Sequence, residues 1–185
     1  FIVDECRRRI EDSLRRDLKM PNASLRIFKN NSDGKGHSQG AHENYSIKEE
    51  TFSNVCARRR KEDETQRNAL MLFLIARQII TGAGKIGSEN KNLPPIAYQI
   101  SQRADFIELP WSGETTHDRG IINTRDISYS KMGISRLHLI AGDSNMSELS
   151  LFLKFGMTAL FLQMLDSGFL LSRQTIFGIP LQSPV

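Results

Sequence analysis

Two long helical segments bracket a series of short strand candidates, and this order constrains the fold more than any other feature of the sequence. Residues 68–80 are mostly apolar and stop at Thr81-Gly82, where Gly82 is expected to supply a left-handed cap. A second helix is predicted over residues 147–165, with Ser144 or Asn145 as its cap and Gly168 past its end. Strands are predicted between the helices, at residues 96–107, 120–125 and 136–141.

The first part of the chain predicts a surface helix before these elements. Apolar residues recur at three- and four-residue spacing from Val3 to Leu18, and Pro21 ends the pattern. Further along, the sequence predicts a strand at 24–29, a glycine-rich loop at 30–40, a strand at 41–47 and a solvated turn or helix start at 58–67. Because regular βαβ alternation and internal repeats are missing, we predict an α+β fold with an antiparallel sheet and helices on one face.

Bulk composition narrows the possible functions. The 185 residues include 25 basic and 21 acidic side chains, and the net charge of +4 suits nucleotide phosphates better than nucleic acid. Cys6 and Cys56 lack the spacing of a zinc site or a disulfide framework, so a reduced cytoplasmic interior is expected and Cys6 is expected in a core. The sequence contains no run of about 20 consecutive apolar residues, so it does not predict a membrane span.

Alternation along the predicted strands gathers polar side chains on one face of the sheet. Leu137 and Leu139 are expected in the core, and Arg136 and His138 are expected together on the opposite face of the sheet. The expected pairs on shared faces are His42 with Asn44, Glu43 with Tyr45, Arg136 with His138, Asn123 with Arg125, and Ser101 with Arg103.

Such a face suits a charged ligand, because unpaired buried charge is strongly destabilising. Arginine donates two hydrogen bonds to phosphate oxygens, and a hard metal held by oxygen, occasionally with histidine, neutralises the remaining charge. The alternative is a water-facing surface on which the arginines pair with acidic residues, and spacing alone leaves both interpretations open. The acidic candidates are Asp105, Glu108, Asp126 and Asp143.

Two further features carry no predicted chemistry. His37 and His117 lie in polar, loop-like sequence and are expected to be exposed. The GAGK stretch at residues 82–85 lacks the GxxxxGK[ST] spacing of a P-loop and follows a helix instead of a strand.

Six segments, in order, resemble successive motifs of the Pup ligase and depupylase family. They lie within residues 29–148, which are 120 of the 185 positions, and their number and order make the resemblance specific. The segments are KNNSDGKGHSQGAHENY (29–45), FLIARQIITGAGKIG (73–87), SQRADFIE (101–108), GETT (113–116), IINTRD (121–126) and RLHLIAGDSNMSE (136–148).

The resemblance implies part of a glutamine synthetase-like catalytic domain over residues 1–171, with a frayed tail at 172–185. It also implies a sheet that cradles ATP and magnesium, a Pup-like tag and its conjugates as partners, a link to a bacterial proteasome, and a cytoplasmic location. By this analogy His42 and His138 take metal or nucleotide positions. The implied phosphate- or substrate-binding residues are Arg125, Arg136, Arg103, Asn44 and Asn123.

The motifs resemble both branches of the family. SQRADF, the GHS before HENY and the extra residues after GAGKIG resemble the depupylase, whereas GDSNMSE is closer to the ligase. We favour the depupylase and keep two alternatives, the ligase and a non-catalytic remnant. A third, an amino-acid ligase of the wider glutamine synthetase group, is disfavoured by SQRAD and GDSNMSE.

Two departures from the family pattern bear on activity. Residues 127–130 (Ile-Ser-Tyr-Ser) replace the Glu-Pro-His-Ala-Asp that usually follows NTRD, which puts a substrate or phosphate contact in doubt. The family's paired metal-binding glutamates and catalytic aspartate are expected upstream of Phe1, and a carboxy-terminal part that helps bind the tag is also expected outside this chain. We therefore expect the chain to be a piece of a longer protein, to hold no catalytic residue and to be inactive alone.

Overall fold

The computed structural model describes residues 2–56, 64–90, 97–125, 133–169, 175–176 and 179–180. By its internal contacts the chain divides into two units, Phe1–Asn30 and Asn31–Val185. The first unit contains helix α1 (Ile2–Arg16). The helices of the second are α2 (Glu49–Cys56), α3 (Glu64–Thr81) and α4 (Glu148–Asp166). Its strands are β1 (Glu43–Lys48), β2 (Lys85–Ile86), β3 (Tyr98–Gln99), β4 (Leu109–Ser112), β5 (Gly120–Asn123), β6 (Ile134–Leu139), β7 (Thr175–Ile176) and β8 (Ile179–Pro180).

The first unit confirms the predicted helix but corrects two expectations about it. Cys6 is exposed instead of lying in a core. Residues 24–29 pair with no strand among the described residues, although they are rich in strand formers. The reason is local: the Leu25 amide donates to the Glu11 carboxylate at 2.8 Å, and Arg15 donates to the Ala23 carbonyl at 3.0 Å. Side chains of α1 therefore take the place of a partner strand.

A four-stranded sheet in the order β1-β6-β5-β4 forms the centre of the second unit. Strands β1, β6 and β5 are antiparallel, as the sequence predicts, with Asn44 and Asn123 both opposite His138. Strand β4 was not predicted and joins β5 in parallel. The Gly120 of β5 permits this approach, because a Cβ there would overlap the backbone of Ser112. The sheet is thus antiparallel at its core with one parallel edge strand.

The hydrophobic core lies between one face of this sheet and helices α2, α3 and α4. Leu137 and Leu139 are fully buried in it, which confirms the predicted alternation of β6. From the helices, Val55, Leu70 and Leu165 pack against them. The antiparallel sheet with helices on one face thus accounts for the α+β class predicted from the sequence.

Three further local predictions are corrected by the structure. Of the predicted strand 96–107, the structure describes residues 97–107, where only Tyr98–Gln99 forms a strand and Ala104–Phe106 forms a 3-10 turn. Ser101 and Arg103 therefore do not share a strand face. Gly82 is not in the left-handed region. Its missing Cβ instead allows the Ile100 backbone to pack against it. The cap of α4 is Ser147, whose side chain accepts from the Ser150 amide at 3.4 Å.

Some predictions fall partly or wholly outside the described residues. These include Asp126, residues 127–130 and most of the tail, of which only β7 and β8 are described. At the end of the charged tract, Arg67 is buried and donates to the Val55 carbonyl at 3.2 Å, so this residue is not solvated as expected.

Among the described residues, α4 is long and apolar enough to cross a membrane by length and composition. The search of the sequence for a continuous apolar run did not find this helix, because Lys154 and Gln163 interrupt its apolar residues. A core helix passes the same test, and Phe161, Leu162 and Leu165 of α4 belong to the hydrophobic core.

Candidate functional site

The polar face of the sheet, opposite the helices, holds the residues that the sequence predicts for a charged ligand. His138 projects from the middle of β6, and Asn44 and Asn123 lie across from it on the two neighbouring strands. His42 lies one residue before β1. The predicted division of β1 is also confirmed, since Glu43 faces the helices while Asn44 is exposed on the other side.

The two histidines form a direct pair. His138 Nε2 and His42 Nδ1 are 2.9 Å apart, a hydrogen-bond distance, and the ring centroids are 4.9 Å apart. One ring therefore donates to the other, which fixes their relative orientation. This pairing brings together residues 96 positions apart, and strand alternation alone did not predict it.

The surroundings of both imidazoles favour their neutral form. Burial is the main cause that lowers the pKa of His138 to about 4, followed by the proximity of His42 and the charges of Arg136 and Arg125. Burial also lowers the pKa of His42, and the charge of Arg103 acts in the same direction. A neutral imidazole can ligate a metal or donate a hydrogen bond to an oxygen.

Arg136 and Arg125 supply positive charge close to His138. The Arg136 Nε atom is buried and has no hydrogen-bond partner among the described residues. Neither arginine forms an ion pair within the described part of the chain, so the predicted alternative of carboxylate pairing finds no support there. A buried guanidinium donor without an acceptor is costly, and an anionic oxygen would satisfy it. These residues therefore fit a phosphate.

Asn123 and Arg103 lie at the same region but are bound to the protein itself. Asn123 is fully buried, donates to the Glu114 carbonyl at 3.1 Å and accepts from the Arg125 amide at 2.9 Å. Arg103 is only 2% exposed and donates to Ser38 Oγ, the Gln39 carbonyl and the Ile140 carbonyl. Both side chains therefore make their hydrogen bonds within the protein and support the site instead of facing a ligand.

The histidine pair does not make a complete metal site. No group of three or more histidine, cysteine or carboxylate side chains suited to a metal occurs among the described residues. Mg²⁺ prefers oxygen ligands and usually keeps several waters. The residues present therefore fit a metal that takes most of its ligands from phosphate oxygens, water or other chain segments. The other two histidines behave as predicted: His117 is exposed, and His37 is exposed and pairs with Asp33 at 2.9 Å.

Sequence analysis missed a buried ion pair behind the site. The Arg77 guanidinium binds the Glu43 carboxylate with two hydrogen bonds of 2.7 and 2.9 Å. Tyr45 also donates to Glu43, at 2.7 Å, and burial is the main cause that raises the pKa of Tyr45. Glu43 lies directly between His42 and Asn44 in the chain, so this pair anchors β1 from the helix side. The apolar composition of α3 predicted only a buried helix and did not indicate that Arg77 forms an ion pair.

A separate cavity of about 410 Å³ lies between α3, the segment before the 3-10 turn and the sheet. Its lining is mostly apolar and includes Leu74, Ile100 and Ile107. Because the arginines and the histidine pair do not line it, this cavity is not the candidate phosphate site.

Comparison with known proteins supports the motif-based resemblance. The chain is 42% identical over 171 residues to the Pup deamidase/depupylase of Mycolicibacterium smegmatis, covering 90% of this chain and 32% of that protein. It is 39% identical over 156 residues to the Pup–protein ligase of Micrococcus luteus, covering 82% of this chain and 32% of that protein. The chain thus spans about a third of the length of these relatives.

Solved structures that share the fold include two of the Pup ligase PafA. One is the Pup ligase PafA in complex with ADP, with a TM-score of 0.62 and 35% identity over 91% of this chain and 34% of that chain. The other is the complex between Pup and its ligase PafA, with a TM-score of 0.60 and 37% identity over 91% of this chain and 31% of that chain. These matches confirm the glutamine synthetase-like fold class.

The family model described as Pup-ligase protein matches residues 1–180, which is nearly the whole sequence. This match agrees with the six ordered motifs and with the names of the relatives. The chain therefore belongs to the Pup-ligase protein family.

Proposed function

We propose that this chain is the nucleotide-binding part of an ATP- and Mg²⁺-dependent depupylase or deamidase. The enzyme would act on the side-chain amide or isopeptide bond at the C-terminal residue of a Pup-like tag. The observation that carries the proposal is the cationic sheet face, where the buried Arg136 Nε lacks a partner among the described residues and lies on the same strand as His138 of the histidine pair. The ADP complex of a related ligase supports nucleotide binding at this fold.

The roles of the residues follow from their chemistry. Arg136 and Arg125 bind phosphate oxygens, because guanidinium groups donate two hydrogen bonds at once. His42 and His138 lie at the metal or nucleotide position, and Asn44 is free to orient a phosphate or a substrate carboxylate. Mg²⁺, when bound, neutralises charge on the phosphates. Arg103 and Asn123 support these groups from within the protein.

The reaction would take place beside the phosphate site. In the depupylase, water is added across the amide carbon–nitrogen bond, and the carboxylate and the amine are released. The face contributes mainly positioning and electrostatic stabilisation of negative charge.

The proposed partners are the Pup-like tag and its conjugates, since a related ligase is solved in complex with Pup. A link to a bacterial proteasome and a cytoplasmic location accompany this proposal. Nucleic acid is not a proposed partner, because the net charge of +4 is small for a chain of this length.

The ligase is the main alternative, and a relative with that name is only slightly less identical than the depupylase. In that reaction the terminal phosphoryl group of ATP passes to the glutamate carboxylate of the tag. A lysine amine then displaces phosphate and forms the isopeptide bond. The altered residues 127–130 keep a non-catalytic remnant as the second alternative.

Nucleotide binding by this chain tests the site. ADP affinity is measured by calorimetry for the natural chain and for Arg136→Gln, with Arg8→Gln as the control because Arg8 is exposed on α1. Loss of a hydrogen-bonded charge is expected to weaken ADP binding by about 10- to 100-fold, and the control should change nothing. Equal affinity in the natural chain and Arg136→Gln would remove Arg136 from the site.

The complete protein tests the reaction. It is incubated with Mg²⁺, ATP, free tag and a tagged substrate, and conjugates are followed by gel over time with His138→Ala as the control. Loss of conjugate supports the depupylase, growth of conjugate supports the ligase, and no change supports the remnant. Synthesis of glutamine or glutamyl-cysteine would instead support an amino-acid ligase of the wider group.

A further inference from the structure

A buried carboxylate, that of Asp143, collects donors from two separate loops. Its Oδ2 accepts from the amides of Ala83 and Gln102, at 2.8 and 2.9 Å. Its Oδ1 accepts from Ser101 Oγ and the Arg103 amide, both at 2.9 Å. Asp143 is fully buried, so these four hydrogen bonds replace the water that a carboxylate requires. The Asp143 carboxylate therefore fixes the backbone of Arg103.

The side chain of Arg103 continues this connection toward the site. Its Nε donates to the Ile140 carbonyl at 3.0 Å, at the end of β6. Its Nη1 donates to Ser38 Oγ at 2.6 Å and also to the Gln39 carbonyl. A planar guanidinium reaches oxygens on two different segments at once, which a lysine ammonium cannot reproduce in the same geometry. Arg103 thus ties residues 38–39 to the end of β6.

The segment that Arg103 holds leads directly to His42. Gly40 follows Gln39, and a Cβ on Gly40 would overlap the His42 ring. The ring therefore lies against the Gly40 backbone on one side and against His138 on the other. A shift of residues 38–40 would move the backbone that supports the His42 ring, and it is therefore expected to weaken the hydrogen bond to His138.

We propose that Asp143 and Arg103 act as a positioning clamp, which holds residues 38–40 so that His42 stays hydrogen-bonded to His138. Arg103 is then a positioning residue and not a phosphate ligand, although the family motif suggested the latter. This explains why a buried arginine without an ion pair among the described residues lies beside a cationic site. Only the effect of the clamp on nucleotide binding rests on the proposed function, because the clamp itself consists of contacts within the chain.

The direct test is the hydrogen bond between the two imidazoles. The chain is labelled with ¹⁵N-histidine, and the His42 Nδ1 and His138 Nε2 resonances are recorded by NMR at one fixed pH. Arg103→Met is compared with Arg67→Met, a matched change of another buried arginine that also donates to a backbone carbonyl. We expect Arg103→Met to lose the hydrogen-bonded resonances and Arg67→Met to keep them.

Two further variants keep the test decisive if Arg103→Met fails to fold. Ser38→Ala removes one contact of the clamp, and Gly40→Ala displaces the His42 ring while every clamp hydrogen bond remains. Both are expected to weaken or abolish the same resonances. Arg103→Lys keeps the positive charge but lacks the planar guanidinium with its several donors, so the hydrogen-bonded histidine resonances should not be restored in this variant. Unchanged resonances in Arg103→Met or in both smaller variants, or full restoration by lysine, would overturn the clamp.

ADP affinity of the same variants separates this inference from the proposed function. If the histidine resonances are lost and ADP binding falls by 10-fold or more, the clamp stands and serves the nucleotide site. If the resonances are lost while ADP affinity is unchanged, the clamp stands but His42 has no part in nucleotide binding. Loss of the resonances in Arg67→Met to the same extent would show a general loss of structure and would also overturn the clamp.

Discussion

Replacement of Arg77 by methionine is the sharpest test of how the sheet is anchored. The Arg77 and Glu43 side chains are 0% and 1% exposed, and two hydrogen bonds of 2.7 and 2.9 Å join them. Arg77 also donates to Thr158 Oγ1 at 2.6 Å, which links α3 to α4. Methionine fills much of the same volume but leaves the Glu43 carboxylate with the Tyr45 hydroxyl as its remaining donor among the described residues.

The magnitude follows from the desolvated charge that is left behind. Removal of one partner of a buried ion pair costs about 3–5 kcal/mol, because the other charge remains buried without compensation. Since about 1.4 kcal/mol is a factor of ten, the folding equilibrium should fall by at least about 100-fold. The double variant Glu43→Met with Arg77→Met removes both charges, so it should be more stable than Arg77→Met alone.

Urea unfolding at pH 7, followed by circular dichroism, measures these differences. With a denaturant slope of about 2 kcal/mol per molar urea, the Arg77→Met midpoint should fall by about 1.5–2.5 M. Arg7→Met is the control, because Arg7 forms only partly exposed pairs on α1 and should cost less than about 1 kcal/mol. The reasoning is wrong if Arg77→Met costs no more than Arg7→Met, or if the double variant is less stable than Arg77→Met.

Three other changes have expected outcomes that unfolding measurements can check. Burial opposes ionisation of Asp105, but hydrogen bonds from the Glu89 amide and several side chains outweigh it and hold the pKa below 3.8. Its ionised form therefore stabilises the fold above pH 3.8, and the gap between the natural chain and Asp105→Asn should shrink as the pH falls below that value. Leu74→Ala should cost about 2–5 kcal/mol because Leu74 is 1% exposed, whereas Ile79→Ala on the same helix should cost less than about 0.5 kcal/mol because Ile79 is 74% exposed. Gly84→Ala should cost about 1–2 kcal/mol, since Gly84 has φ of +70° and its missing Cβ makes room for the Tyr98 hydroxyl; no loss would refute that explanation.

Local patterns predicted the elements whose neighbours in sequence decide their structure. The apolar spacing of α1, the apolar composition of α3, and the cap and glycine signals around α4 predicted these three helices. Strand alternation placed Leu137 and Leu139 in the core with His138 on the other face. Propensity failed where a local contact outweighed it. Residues 24–29 have strand composition, yet the Leu25 amide is bound by Glu11, and no partner strand lies beside them in the described part of the chain.

The candidate site was predicted as a set of residue types and a shared face, but not as a geometry. Ordered motifs identified His42, His138, Arg125 and Arg136, because those residues fall at fixed places in a recognisable series. Neither motif nor alternation indicated that Arg103 and Asn123 are bound to the protein itself. Their partners are separated in sequence, and a side chain's hydrogen bonds are decided by which segments meet.

The sequence by itself determined the family, the class of fold and the charged character of the sheet face, because these depend on residue order, periodicity and composition. Only the tertiary structure decided the long-range contacts: the imidazole pair of His42 and His138, the ion pair of Glu43 and Arg77, and the hydrogen bonds that Asp143 accepts across some 40 to 60 residues. Such contacts join buried polar groups, and a buried polar group is stable when most of its hydrogen bonds are made. That condition is a property of the packed chain and not of any one segment.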